Sequence, residues 1–116
     1  MRASNPNTLF RALPLAVAAS ALLAGGPALA GGDPARGQEK SAVCAACHGP
    51  DGNSPSPEFP RIGGQHEDYL FQALRAYQLG TRKNPIMAAQ VEALSRQDLR
   101  DLAAWYASQQ GLYLKR

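Results

Sequence analysis

The chain contains few of the side chains that build metal and redox sites. Its 116 residues include two cysteines, two histidines and two methionines. A structural zinc site needs four ligands, and this supply barely provides them. Strand-like alternation of apolar and polar residues is absent, and so is any internal repeat. These absences disfavour a zinc-stabilised domain and the βαβ setting of a thiol–disulfide oxidoreductase.

The N-terminal region has no apolar run long enough to cross a membrane. The run from Ala12 to Ala24 has thirteen residues, whereas a hydrocarbon core needs about 20. Arg2 and Arg11 precede this run, and Ala28-Leu29-Ala30 follows it as a small-residue cleavage site. Residues 1–30 are therefore predicted to be a secretory signal peptide, cleaved after Ala30. The lack of an Arg-Arg pair favours the general export route and a periplasmic location.

A strong net charge is missing as well. Twelve basic and nine acidic residues give +3, and two of the basic residues lie in the predicted signal peptide. Residues 31–116, which are predicted to form a single domain, carry about +1. This balance gives no reason to expect nucleic-acid binding. A domain of this size buries a modest fraction of its surface and commonly needs a covalent or metal staple.

The two cysteines lie together in the segment Cys44-Ala45-Ala46-Cys47-His48. On a helical turn, residues i, i+3 and i+4 project from one side. Two thiols at this spacing can add to the two vinyl groups of one haem, and the imidazole then lies beneath the iron. The segment therefore predicts covalent haem attachment through Cys44 and Cys47, with His48 as an axial ligand. A redox thiol pair and a structural disulfide are the alternatives, although a disulfide gives no role to His48.

Helices are expected on both sides of this segment. Asp33 and Pro34 are a favourable N-cap and first helical residue for a helix that runs toward the haem motif. That helix carries small residues at Gly37 and Ser41 on the face of Cys44, so a second helix can cross it closely.

Two further helices are expected later in the chain. One runs from Glu67 to Leu79 and is ended by Gly80. The other begins at Ser95, with Asp98 completing a capping box, and stops at Gly111. The connecting residues 49–64 and 81–86 are expected to be irregular because proline and glycine interrupt them.

Met87 is the candidate for a second axial ligand. It is the single methionine left once Met1 is removed, and it is expected to follow the irregular segment 81–86 in a loop. A thioether is a soft, neutral ligand that favours ferrous iron and raises the reduction potential relative to a second histidine. The alternative sixth ligand is His66, whose simpler interpretation is a surface or capping residue.

The imidazole of His48 also needs an acceptor for its other ring N–H. A backbone carbonyl in the segment 49–64 is the candidate. Because every residue has such a carbonyl, the residues alone do not choose among them.

With these residues in place, the chain resembles class I c-type cytochromes, most closely the bacterial cytochromes c of the c4, c5 and c553 kind. The resemblance covers nearly all of residues 33–110. The matching segments occur in the family's order: C-A-A-C-H-G at 44–49, D-G-N at 51–53, F-P-R-I-G-G-Q at 59–65, Y-L at 69–70, G-T-R at 80–82, P-I-M at 85–87 and D-L-A-A-W-Y-A at 101–107.

The resemblance implies an all-α cytochrome c fold, with three to five helices around one covalently attached haem c. It implies thioethers at Cys44 and Cys47, and His48 and Met87 as axial ligands of the iron. Pro60 is implied as the residue whose carbonyl holds the His48 ring.

The same resemblance implies that the helices beginning near Asp33 and Ser95 cross at Gly37, against aromatic residues near Tyr106. Members of the c4 kind have two haem domains in tandem, whereas this chain has one haem motif. Internal electron transfer between two haems therefore does not carry over.

The expected function is that of a periplasmic monohaem electron carrier and not of an enzyme, because both axial positions are filled. The expected partners are a donor and an acceptor redox protein, held in small transient contacts, with a membrane-bound oxidase or reductase among the candidates. The main alternative is a haem c subunit of a periplasmic dehydrogenase or oxidase complex. A haem protein with a labile sixth position is a third hypothesis.

Overall fold

The computed structural model describes residues 31–112, so the predicted signal peptide and residues 113–116 lie outside the described residues. Between residues 31 and 112 the chain forms helices and no strands, and the all-α prediction is confirmed. No helix in this range is long and apolar enough to span a bilayer. The helices are α1 (Pro34–Lys40), α2 (Ala42–His48), α3 (Glu67–Leu79), α4 (Pro85–Val91) and α5 (Arg96–Ala107).

The helix starts follow the capping chemistry predicted from the sequence. The Asp33 side chain accepts hydrogen bonds from the N–H groups of Ala35 and Arg36, and Pro34 occupies the first helical position of α1. At the start of α5, Ser95 and Asp98 form the reciprocal capping box. These caps satisfy backbone donors that the first turn of a helix otherwise leaves unpaired.

The predicted helix α3 begins and ends at the expected residues, Glu67 and Leu79. Gly80 closes it with φ of 75°. This left-handed conformation strains residues that have a Cβ, which explains the glycine at this position.

The helix expected from Asp33 to His48 is divided at Ser41. The Ser41 N–H and hydroxyl both donate to the Gln38 carbonyl, at 3.1 and 2.8 Å, so the last turn of α1 tightens into an i to i+3 pattern. The chain resumes as α2 at Ala42. The competing side-chain bond from Ser41 is a local effect that the periodicity of small residues does not reveal.

Met87 lies in the first turn of α4 and not in a loop, so that expectation is wrong. The Asn84 side chain accepts from the N–H groups of Ile86 and Met87, at 3.0 and 3.1 Å, and Pro85 is the first helical residue. Asn-Pro is the same start signal as Asp33-Pro34. Pro85 therefore begins a helix instead of stiffening an irregular segment.

The last helix is shorter than expected, since α5 ends at Ala107 and not at Gly111. The Ser108 N–H bonds to the carbonyls of Ala104 and Trp105, and the Ser108 hydroxyl donates to Trp105 at 2.7 Å. These bonds satisfy the last carbonyls of the helix before glycine is reached.

A core of apolar side chains joins α3, α4 and α5. Leu99 is completely buried, and the other members are nearly so. Half-buried apolar side chains from the loops and from α2 pack against this core, Cys44 among them. The buried cluster consists of Leu70, Phe71, Val91, Leu99, Ala103 and Tyr106.

The α1 and α5 helices cross at Gly37. A Cβ added to Gly37 would clash with the Asp101 carbonyl oxygen and lie 2.8 Å from the Trp105 Cβ. The expected crossing point is therefore present, and Trp105, next to Tyr106, is the aromatic residue that lies against Gly37. Because Gly37 has no side chain, the two backbones approach more closely than any other residue allows.

Polar contacts reinforce this crossing. Asp101 is buried and accepts from the Asp33 N–H at 2.8 Å, while the Arg36 Nε lies 3.3 Å from its other oxygen. The Lys40 ammonium, 2.8 Å from Asp98, lowers the pKa of that carboxyl to about 2. Two ion pairs, Arg36–Asp101 and Lys40–Asp98, thus join α1 to α5.

We expect Gly37→Ala to destabilise the protein, although alanine is the better helix former. The added Cβ meets the α5 backbone, which cannot move as a flexible side chain would, and the loss should be about 2–3 kcal/mol. Chemical denaturation of the haem-loaded protein measures it. The control is Glu39→Ala at an exposed α1 position, which should stay within about 0.5 kcal/mol of the parent. Equal stability of Gly37→Ala and the parent would contradict the close crossing.

Candidate haem-binding site

The short helix α2 presents the two cysteines and the histidine. Cys44 and Cys47 are half-buried free thiols, and burial raises the pKa of the Cys44 thiol. His48 is buried, with 8% of its surface exposed, at the last helical position of α2. The i, i+3, i+4 spacing therefore falls on helix, as the sequence predicts.

The orientation of the His48 ring is fixed by the loop that follows it. His48 Nδ1 lies 2.8 Å from the carbonyl oxygen of Pro60. A carbonyl oxygen only accepts, so Nδ1 carries a proton, and in the neutral ring Nε2 then keeps its lone pair. That tautomer suits a metal ligand, because the second nitrogen is available and its direction is set. The contact that the family resemblance implied between His48 and Pro60 is present.

The loop carrying Pro60 is held by its own backbone and by the C-terminal segment. Inside the loop, the Ile62 and Gly63 N–H groups donate to the Gly52 carbonyl at 2.8 and 3.1 Å. Between the loop and α5, the Gly64 N–H donates to the Tyr106 carbonyl at 2.9 Å. Residues 49–64 therefore take their shape from α5 and from internal bonds, without any regular element.

Asn53 ties this loop to the end of the chain, a role that the sequence analysis missed. Its side-chain amide donates to the Gln110 carbonyl at 2.6 Å. Nearby, the Leu112 N–H donates to the Gly63 carbonyl at 2.8 Å. Asn53 also hydrogen-bonds Asp51 and lowers the pKa of that carboxyl. The D-G-N segment was the available signal, because Asp and Asn beside glycine commonly form local side-chain to backbone bonds.

Met87 lies in a different part of the fold from Cys44, Cys47 and His48. It is half-buried in the first turn of α4, which packs against α3. The preceding Ile86 is 64% exposed. His66 is exposed just before α3, and its side chain forms no capping hydrogen bond.

Arg82, in the segment between α3 and α4, lies against two tyrosines. Its guanidinium carbon is 4.9 Å from the centre of the Tyr77 ring, and Nη1 is 3.5 Å from the Tyr69 hydroxyl. Arg82 itself is exposed. The contact stabilises the turn between α3 and α4 by a cation–π interaction.

Two donors on α5 are buried without an acceptor in the part of the chain that the structure describes: the Trp105 Nε1 and the Tyr106 hydroxyl. The Tyr106 hydroxyl lies toward Ser41 and Cys44, and burial raises its pKa. Buried donors normally have partners. Tyr106 therefore leaves an unpaired polar atom in the core near Cys44, one of the two predicted haem attachment residues.

The donor set fits a covalently attached haem. Two free thiols are one helical turn apart, the adjacent imidazole offers Nε2, and a polar donor is unpaired beside Cys44. Within residues 31–112, no three Cys, His, Asp or Glu side chains converge as a metal-binding group. An all-helical domain with this attachment site is a c-type haem domain.

Comparison with known proteins identifies the family. The family model for cytochrome c matches residues 34–110. The chain therefore belongs to the cytochrome c family, as a class I c-type cytochrome of the c4 kind. Its cofactor is haem c with iron, covalently bound.

Individual relatives agree with this assignment. Cytochrome c4 of Pseudomonas aeruginosa is 51% identical over 84 residues, which cover 72% of this chain and 42% of that protein. Cytochrome c-554(548) of Halomonas halodenitrificans is 40% identical over 82 residues, covering 68% of this chain and 99% of that protein. The crystal structure of reduced cytochrome c4 from Pseudomonas stutzeri superposes with a TM-score of 0.67 at 46% identity, covering 70% of this chain and 47% of that one. This chain thus spans half or less of the length of the c4 proteins that it matches.

We expect Asn53→Ala to weaken the attachment of the 49–64 loop to the C-terminal segment. Loss of the bond to the Gln110 carbonyl should cost about 1 kcal/mol in chemical denaturation of the haem-loaded protein. Asn53→Asp should cost at least as much, because a carboxylate cannot donate to a carbonyl.

Glu58→Gln serves as the matched control, since Glu58 is exposed in the same loop. If Asn53→Asp were as stable as the parent, the donation from Asn53 to Gln110 would not hold the loop.

Proposed function

We propose that this protein is a periplasmic electron carrier with a single haem, which accepts one electron from a donor redox protein and passes it to an acceptor. The thioether positions are Cys44 and Cys47, and the axial ligands are His48 and Met87. The observation that carries the proposal is the contact of His48 Nδ1 with the Pro60 carbonyl, which leaves Nε2 available in a fixed direction.

The proposed roles of the iron and of its two side-chain ligands follow from their chemistry. Haem iron supplies the one-electron change between ferric and ferrous states. His48, whose Nδ1 is engaged, donates from Nε2, and the hydrogen bond to Pro60 raises the basicity of the ring. Met87 donates a neutral thioether, which favours the ferrous state. With His48 and Met87 both holding the iron, the protein would transfer electrons without substrate chemistry at iron.

Contact with partners is proposed to use apolar side chains beside these ligands. Val43, which precedes Cys44, is 55% exposed, and Ile86, which precedes Met87, is 64% exposed. Exposed apolar side chains next to a redox centre suit small, short-lived interfaces that leave few charges to desolvate. The carrier is proposed to be periplasmic because the predicted signal peptide and the covalent haem site occur in one chain.

The direct test is the visible spectrum of the haem-loaded protein beside Met87→Ala. The parent should show sharp low-spin ferrous bands and, in the ferric state, a weak far-red band from sulfur-to-iron charge transfer. Met87→Ala should abolish that band, lower the reduction potential and allow ferrous carbon monoxide binding, because the sixth position opens.

Ile86→Ala is the control, since it removes an exposed neighbour and should keep the parent spectrum. A parent spectrum without the sulfur band would contradict Met87 as ligand. Purification of a lone monomer supports the free carrier, whereas constant association with a larger polypeptide would support a dehydrogenase or oxidase subunit instead.

A further inference from the structure

Two carboxylates hold the backbone immediately after the predicted cleavage site. The Gly32 N–H donates to Glu67 Oε1 at 3.1 Å, and the Asp33 N–H donates to Asp101 Oδ1 at 2.8 Å. Glu67 belongs to the first turn of α3, and Asp101 lies on α5. The first residues of the proposed mature chain are therefore docked on two helices and have a defined position.

The next residue toward the N-terminus, Gly31, lies beside the same carboxylate. A Cβ built on Gly31 would be 3.2 Å from Glu67 Oε1, which is the heavy atom nearest to that position. The Gly31 nitrogen is bonded to the same Cα, so standard bond geometry puts it within about 6 Å of Oε1. Gly32 cannot move away toward α5, because a Cβ there would already clash with the Arg100 carbonyl.

Cleavage changes the charge of the Gly31 nitrogen. In the precursor it belongs to the neutral peptide bond between Ala30 and Gly31, whereas after cleavage it is an α-ammonium. We propose that Glu67 is the binding site for the processed N-terminus, forming an ion pair with the Gly31 ammonium only after the signal peptide is removed. This inference rests on the proposed function in one respect, since it requires export and cleavage after Ala30.

Other charged groups lie on the neighbouring elements and influence the size of the effect. On α5, Arg100 repels an ammonium and Asp101 attracts it, although Asp101 already binds the Asp33 N–H and Gln97. Asp33 and Arg36 on the α1 side form an ion pair at 3.6 Å, and His66 and Asp68 flank Glu67 in the chain. Because Glu67 is the nearest of these groups, the α-amino pKa should lie above its ordinary value of about 7.7–8.0.

Because the α-amino pKa should be raised in the folded protein, the stability of the fold should fall as the pH rises. The ion pair stabilises the folded protein fully at pH values below the ordinary α-amino pKa, where the amine is protonated in the folded and the unfolded state. The stabilisation is lost as the pH rises through the raised value. In the precursor, or in any form with additional residues before Gly31, this dependence should be absent.

The test is a cycle of two changes in the exported, haem-loaded protein. One change is Glu67→Gln, and the other is insertion of two glycines between Ala30 and Gly31, which moves the ammonium by up to about 7 Å. With the natural N-terminus, Glu67→Gln should lower Tm by about 2–5 °C at pH 7 and lower the α-amino pKa, measured by NMR after reductive ¹³C-methylation. With the extended N-terminus, Glu67→Gln should lower Tm by clearly less. There, Glu67 accepts only the Gly32 N–H and has no ammonium to pair with.

Mass spectrometry of each purified protein identifies its N-terminus, and Glu58→Gln is the control for loss of an exposed carboxylate. Equal Tm losses with and without the added glycines, or an α-amino pKa that Glu67→Gln leaves unchanged, would overturn the proposal. A first residue other than Gly31 would overturn it as well. All three results leave the haem spectrum intact, so they are distinguishable from failure of the proposed electron carrier, which the spectrum reports.

Discussion

The close approach of α1 to α5 at Gly37 is the constraint on which the rest of the structure depends. It places the backbone of α1 directly against Asp101 and Trp105. Since α2 follows α1 after Ser41 alone, the position of α1 also determines where Cys44 and His48 lie. A side chain at Gly37 would separate the helices and move the haem attachment segment relative to the core.

The second helix of this crossing, α5, also controls the loop on the other side of His48. Tyr106 packs in the core and accepts from the Gly64 N–H, while the segment after α5 receives the Asn53 amide and pairs with Gly63. The Pro60 carbonyl in that loop contacts the His48 ring. The positions of the attachment residues and of the acceptor that orients the histidine thus both depend on contacts with α5. This arrangement fits a protein whose proposed task needs a rigid iron site, because small rearrangement on reduction favours fast electron exchange.

The sequence predicts the parts of this structure that depend on local chemistry. Asp33-Pro34, the Ser95–Asp98 box and Gly80 each act within a few residues, and the helix boundaries that they specify are confirmed. The C-A-A-C-H segment likewise predicts haem attachment, because its thiols and imidazole lie within one helical turn. Gly37 is predictable as a crossing point because a stripe of small residues permits close contact.

The predictions that were wrong, and the contacts that were missed, concern residues that form competing local hydrogen bonds or that bond to partners far along the chain. Ser41 ends α1 through its hydroxyl, and Asn84 begins α4 although Pro85 suggested a breaker. Asn53 bonds to Gln110, which is 57 residues away, and no pattern within the D-G-N segment identifies that acceptor. The residues alone did not distinguish among the carbonyls of the loop; the family resemblance pointed to Pro60, and the structure has the Pro60 carbonyl in contact with His48. Placement of Met87 beside the iron remains a proposal, because it joins two elements through the haem itself.

The measurement that tests the central proposal most directly is NMR of the ferrous, haem-loaded protein labelled with ¹³C at the methionine methyl. Met1 leaves with the signal peptide in the proposed maturation, so the mature protein should give a single resonance, from Met87. If Met87 is the axial ligand, its methyl group lies over the porphyrin, and the ring current should shift this resonance far upfield. A methyl resonance at the position of an ordinary methionine would contradict ligation by Met87 and the proposed six-coordinate electron carrier.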